Sequence, residues 1–180
     1  MKWSAWNLGA TTPEELGECY EWGAGGSAND YGAKYNTIEV WDRATGEYFY
    51  YEDGPYYRDL GCNISGTKYD AAYIQWQSYW RLPTSDHFRE LLNSCKWIYT
   101  TYKGVEGYFV VGPNYNSIFI PKSEYWTSEG WGYSTPEENK YFNVCYEGER
   151  AVGFSVGEEV EINQMIFRDN RLYIRPVFIK

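Results

Sequence analysis

Apolar positions recur at helical spacing in two stretches of the chain. Tyr69, Ala72, Tyr73 and Trp76 fall at i, i+3, i+4 and i+7, which is one face of a helix. Thr67 precedes them as a candidate cap, with Asp70 in the first turn. Phe88, Leu91, Leu92 and Cys95 repeat the spacing. Here Pro83-Thr84-Ser85-Asp86 is the start signal, with Thr84 or Ser85 as cap. Asp86 and Glu90 lie early in this helix, where its dipole favours negative charge.

Elsewhere the pattern is that of strands. Two β-favouring runs, 37–41 and 47–51, flank Arg43-Ala44-Thr45-Gly46 and predict a hairpin. Short β runs at 97–101, 107–111 and 117–120, separated by Gly-, Pro- and Asn-bearing turns, predict a meander. Residues 121–139 lack a clear period and read as loop, with Tyr125-Trp126 and Gly130-Trp131-Gly132-Tyr133 in it. Further strand candidates are 141–146, 151–155, 160–163 and 172–177, with Pro176 confining the last to an edge or an end. Two helices in a mostly β chain indicate an α+β fold. No tract is long enough to be an interdomain linker, so the 180 residues read as a single domain, 1–180.

Composition sharpens this picture in two ways. The net charge of −9 argues against a nucleic-acid partner, because phosphate binding needs clustered cations. No apolar run reaches the ~20 residues of a membrane helix, so no membrane insertion by this chain is expected. The N-terminus carries no hydrophobic signal segment. The chain therefore reads as a cytosolic product, a virion component or a processed extracellular or cell-surface fragment. Aromatic residues make up 21% of the chain, and Tyr and Trp supply stiff, amphipathic contact surface.

The candidate chemistry is sparse. His87 is the one histidine and reads as a surface or capping residue, because no partner motif surrounds it. Cys19, Cys62, Cys95 and Cys145 contain no C-x-x-C pair, which disfavours zinc and dithiol chemistry. They could form disulfides in any of three connectivities, but free thiols are the favoured reading. Glu147, Glu149, Glu158, Glu159, Glu161 and Asp169 could supply oxygen ligands, but their spacing fits no calcium loop. Calcium is possible but disfavoured, and no other cofactor or metal is expected. Trp76, Trp80, Leu82, Phe88, Leu91, Leu92 and Trp126 are expected in the core.

Several segments, taken together in order and spacing, carry a resemblance. They include Lys2-Trp3, Asn7-Leu8-Gly9-Ala10-Thr11, Glu21-Trp22-Gly23, and Asn63-Ile64-Ser65-Gly66-Thr67 leading to Asp70-Ala71-Ala72. Trp80-Arg81-Leu82-Pro83-Thr84, Gly112-Pro113-Asn114, Tyr125-Trp126-Thr127-Ser128 and Ile174-Arg175-Pro176-Val177 complete the set. They resemble the Fibrobacter succinogenes major paralogous domain, a family of Bacteroidetes-type bacteria and their phages that is similar to C-type-lectin-like modules. Residues 24–61 and 137–170 match poorly. The resemblance implies a C-type-lectin-like fold with two helices, a small antiparallel sheet and a long loop region. It implies binding rather than catalysis. The Glu-Pro-Asn type of triplet that calcium-dependent lectins use is absent, and only Cys145 lies where formylglycine-generating relatives keep paired cysteines.

On this reading residues 122–170 present the ligand surface. The candidate contacts are Trp131, Tyr133, Tyr141, Glu147, Glu149, Asp169 and Asn170. The expected role is an adhesin-like or receptor-binding module for a glycan or protein ligand on a cell surface. A structural or decoration subunit, such as part of a phage appendage and possibly a homo-oligomer, is the alternative. An unrecognised enzyme ranks last.

Overall fold

The computed structural model describes residues 1–26, 32, 34–77, 79–131 and 149–180. Among the described residues there are two helices and eleven strands, with the strands paired antiparallel, an α+β arrangement. Strands β1 (Lys2–Trp3), β11 (Val177–Phe178) and β4 (Trp80–Arg81) form one sheet in the order β1-β11-β4. This sheet ties the two ends of the chain together. Strands β2 (Lys34–Asp42) and β3 (Glu47–Tyr56) form the expected hairpin.

Strands β5 (Lys96–Tyr102), β6 (Val105–Val111) and β7 (Ser117–Pro121) form the expected meander. The β5–β6 turn is only Lys103-Gly104, shorter than the spacing predicts, because Tyr102 pairs directly with Val105. Both turn residues have positive φ, +49° and +86°, the conformation of a tight turn that matches strand twist.

Strands β8 (Ser123–Gly130), β9 (Arg150–Val156) and β10 (Val160–Phe167) form a third sheet, in the order β10-β9-β8. This corrects the loop reading of 121–139 over Ser123–Gly130, while β9 and β10 fall on the expected strands at 151–155 and 160–163. In its described part that region is mostly strand, and Tyr125, Trp126, Thr127 and Ser128 are fully buried. Polar residues hid the strand. The Thr127 hydroxyl is satisfied internally, donating to the Val152 carbonyl at 2.8 Å. Leu172 and Tyr173 form only isolated bridges, so the last predicted strand shrinks to two residues after Pro176. The candidate strand at 141–146 lies outside the described residues.

Helix α1 (Ala71–Trp76) has six residues and is shorter than its periodicity suggests. Its cap is Asp70 rather than Thr67, whose hydroxyl instead donates to the Ile64 carbonyl at 2.7 Å. Helix α2 (Ser85–Ser94) is capped by Thr84 as expected. His87 completes a capping box, its Nδ1 accepting from the Thr84 amide at 3.0 Å. The histidine is therefore a capping residue.

Two apolar clusters form the core. One gathers Leu8, Trp22, Ile64, Leu82 and Trp126 with Ile174, and the other packs α2 through Phe88 and Leu91 against Tyr125, Phe154 and Val156. Phe88 stacks on Phe154 with centroids 4.0 Å apart. Leu82, Phe88, Leu91 and Trp126 are buried as expected, and Leu92 is partly buried against the second cluster. Trp76 and Trp80 are only partly buried, which corrects their assignment to the interior.

Two arginines lie inside. Arg175 is fully buried and donates to the carbonyls of Phe119 at 2.8 Å and Ser4 at 3.3 Å. Arg168 sits between the rings of Trp22 and Tyr57, at 4.9 and 5.1 Å, and donates to the Arg58 carbonyl at 3.0 Å. Burial lowers the pKa of each guanidinium to about 10. Cys62 is disulfide-bonded, which corrects the free-thiol reading there; Cys19 and Cys95 are free, and Cys145 lies outside the described residues.

Candidate functional site

The residues expected to carry ligand contacts are only partly within view. Tyr133, Tyr141 and Glu147 lie outside the described residues. Trp131 is half-buried just past β8, its amide donating to the Arg150 carbonyl at 3.0 Å. Glu149, Asp169 and Asn170 are exposed. Register explains their placement. Gly130 pairs with Ala151 and Arg150 with Phe167, so Trp131, Glu149, Asp169 and Asn170 gather at one end of the β8–β9–β10 sheet. Glu158 and Glu159 sit at the opposite end, in the β9–β10 turn. The acidic residues thus do not form one cluster, and among the described residues no group of three His, Cys, Asp or Glu side chains could hold a metal ion.

A more developed concavity lies elsewhere. A groove of about 620 Å³ is lined by Lys2, Trp3, Trp6, Gln75, Trp76 and Trp80, together with the Ser4-Ala5 and Gly9-Ala10 segments. Local rules build each wall. Lys2 pairs with Phe178 in β11, and Phe178 pairs with Trp80 in β4, so the three side chains form one row across the sheet. The Lys2 ammonium accordingly lies 5.6 Å from the Phe178 ring centre and 5.9 Å from that of Trp80. Trp76 ends α1 and meets Trp80 edge to face, at 5.4 Å and 87°.

Trp6, 39% exposed, forms the opposing wall. Its segment is fixed by the Ser4 hydroxyl, which donates to the Trp6 carbonyl at 2.7 Å, and by the Ser4 amide, which donates to Pro176 at 2.9 Å. Gln75 supplies a polar edge. Its amide donates to the Tyr20 hydroxyl at 3.1 Å, and that hydroxyl donates to Glu18 at 2.7 Å. Burial first, and then Glu18, pushes the Tyr20 hydroxyl up to about 12, so it stays protonated at neutral pH.

This lining offers flat aromatic faces, one cation and one oriented amide. Among the described residues it contains no carboxyl, imidazole or thiol. Its chemistry is that of holding a ligand with an apolar face and hydroxyl or acidic edges. Sequence reasoning missed Trp6 and placed Trp76 and Trp80 inside. The available signal was the Lys2-Trp3 and Trp6 cluster near the start of the chain, but only strand register joins it to Trp80.

Two other constellations have functional residue types but structural work. Glu129 accepts from both the amide (2.9 Å) and the hydroxyl of Ser85 at the start of α2. Ser85 is buried and the nearby His87 has its Nδ1 committed to the cap, so this trio serves the helix terminus. Burial pushes the Cys95 thiol up, away from reactive thiolate.

No protein-family model, no curated protein and no solved structure matches this chain.

Proposed function

We propose that the chain is a non-catalytic recognition module on a C-type-lectin-like scaffold, acting at a cell surface or on a virion. Its ligand is a glycan, and the binding site is the groove between Trp6, Trp76 and Trp80. The observation that carries this reading is the convergence of these indoles on one open groove with Lys2 and Gln75 at its edge. Indole faces stack on the apolar face of a sugar ring, while the ammonium and amide meet hydroxyl or carboxylate oxygens. Nothing in the lining requires calcium.

The test is a broad glycan array run with calcium and with a chelator, followed by calorimetry on the strongest class. Calcium-independent binding is expected. Trp6→Ala and Trp80→Ala are each expected to weaken it about tenfold, or roughly 1.4 kcal/mol. Trp131→Ala is expected to leave it unchanged. Binding that survives both groove substitutions but is lost with Trp131→Ala would return the site to the late sheet end.

The second reading, a subunit of a larger assembly, draws on the β2–β3 hairpin. Its rings of Trp41, Tyr48, Phe49, Tyr50 and Tyr51 are 46–64% exposed.

A further inference from the structure

The β2–β3 ribbon stands apart from the rest of the fold. Among the described residues its two strands pair only with each other, and neither packs extensively on another helix or strand. A two-stranded ribbon is at best marginally stable alone in water. Each strand therefore has an outer edge with no strand paired to it among the described residues.

The two edges differ in character. β3 is bulged, since Lys34 and Asn36 of β2 face Tyr56 and Asp53 across an extra residue. Its edge also carries Pro55, which has no amide proton, and Gly54 at φ +148°. A bulge and a proline are the devices that blunt a strand edge against pairing. β2 has neither proline nor glycine, and its nine residues run without an inserted residue.

Pairing β2 with itself also gives complementary neighbours. The antiparallel register that uses the whole strand has its two-fold axis at Ile38. It sets Lys34 opposite Asp42, Tyr35 opposite Trp41, Asn36 opposite Val40, and Ile38 opposite its own copy. Opposite charges meet at both ends, aromatic pairs lie inside them, and an apolar pair sits at the centre. Asp42 is a carboxylate fixed in place, its oxygens accepting from the Ala44 amide at 2.8 Å and the Thr45 hydroxyl at 3.0 Å. Ile38 pairs with Tyr51 and Val40 with Phe49 within each ribbon, so these four side chains share one face. In the paired arrangement the two copies of that face become continuous.

We infer that the outer edge of β2 is a self-association surface, on which a second copy of this chain pairs its own β2 antiparallel about Ile38. The result is a four-stranded sheet in the order β3-β2-β2-β3, with isologous symmetry. This inference does not depend on the glycan groove, which lies on other elements.

Sedimentation velocity on the full chain, from micromolar to near-millimolar concentration at physiological salt, tests it. The wild type is expected to show a concentration-dependent monomer–dimer equilibrium. Ile38→Lys places two like charges on the axis and should abolish the dimer, with near-ultraviolet dichroism reporting whether the Trp41–Tyr48 edge contact, at 4.8 Å, survives. Lys34→Glu, at an exposed position, opposes two carboxylates at each end and should weaken the dimer at least tenfold. This second variant decides the matter if the first fails to fold. Hydrogen exchange should show concentration-dependent protection within Lys34–Asp42. A monomer at every concentration, a dimer indifferent to both substitutions, or protection confined to Glu47–Tyr56 would each overturn the proposal.

Discussion

Asp70 offers the sharpest test of how this fold is held together. It is fully buried, and its two oxygens serve three separated segments. One oxygen accepts from the Tyr73 amide at 3.0 Å, capping α1. The other accepts from the Gly66 amide at 2.9 Å and the Leu82 amide at 3.0 Å. The carboxylate thus latches the preceding loop, the helix and the residue just after β4, the strand whose Trp80 forms one rim of the tryptophan groove. Asp70→Ala removes a helix cap, worth about 1 kcal/mol, and leaves two further amides unsatisfied at roughly 1.5 kcal/mol each. The expected loss is about 4 kcal/mol, which in a protein of this size lowers Tm by roughly 10 °C.

Asp70→Asn separates the acceptor count from the shape. The amide oxygen can serve Gly66 and Leu82, but the amide nitrogen then faces the Tyr73 amide, donor against donor. That costs the cap alone, about 1–2 kcal/mol. A pH dependence follows as well. Burial is the largest influence on the Asp70 carboxyl and pushes its pKa up, against the pull of the Gly66, Tyr73, Leu82 and Ala72 amides. A raised carboxyl contributes stability that is full below its ordinary value of 3.8 and is lost as pH rises through the folded value. Asparagine has no such dependence, so the Asp70→Asn penalty should shrink as pH rises. Urea titration followed by tryptophan fluorescence at a series of pH values measures both effects. A loss below about 1 kcal/mol for Asp70→Ala would refute the latch, and a pH-independent Asp70→Asn penalty would refute the dominance of burial.

Two further outcomes are expected. Burial, as the largest cause, depresses the His87 pKa below 6.5, so the stability its neutral ring gives is present above 6.5 and is lost as pH falls from there through the folded value. His87→Gln keeps an acceptor for the Thr84 amide and should remove this acid dependence, as read by thermal melts between neutral and mildly acid pH. Alkylation of the denatured, unreduced chain should label Cys19 and Cys95 but not Cys62 by peptide mass, and reduction should lower stability by about 2–4 kcal/mol in urea titration.

Much of the frame is legible in the sequence because its signals are local. Helix α2 announces itself through Thr84 and the Phe88–Leu91 spacing, and the meander through its two short turns, 103–104 and 112–116. The failures have a common physical origin, which is burial of polar groups. Strand β8 reads as loop because Glu124, Thr127, Ser128 and Glu129 break its alternation, yet Thr127 and Ser128 are fully buried. Arg168 and Arg175 carry no local signal of burial, and carbonyls and rings from distant segments help to make it tolerable. Helix α1 is overextended in the sequence reading because Asp70, a better acceptor, takes the cap from Thr67. The groove was illegible for a different reason. Trp6, Trp76 and Trp80 are far apart in the chain, and no local pattern reports that β11 lies between β1 and β4.

That same topology fixes the walls of the proposed groove in place. Its Trp6 wall belongs to a segment without regular structure, which would ordinarily be mobile. Here the segment is stitched to the C-terminal part of the chain, Ser4 to Pro176 at 2.9 Å and Leu8 to Ile174 at 2.9 Å. The Arg175 guanidinium adds a bond from beneath, bridging Ser4 to Phe119 of the meander. Among the described residues this buried cation has no carboxylate partner, and such a group is a costly way to gain stability alone. Its return is that the backbone leading to Trp6 is fixed against two other segments, so little ordering remains to be done when a ligand enters. The buried arginine and the exposed tryptophan are two ends of one arrangement, the first setting the position that the second presents.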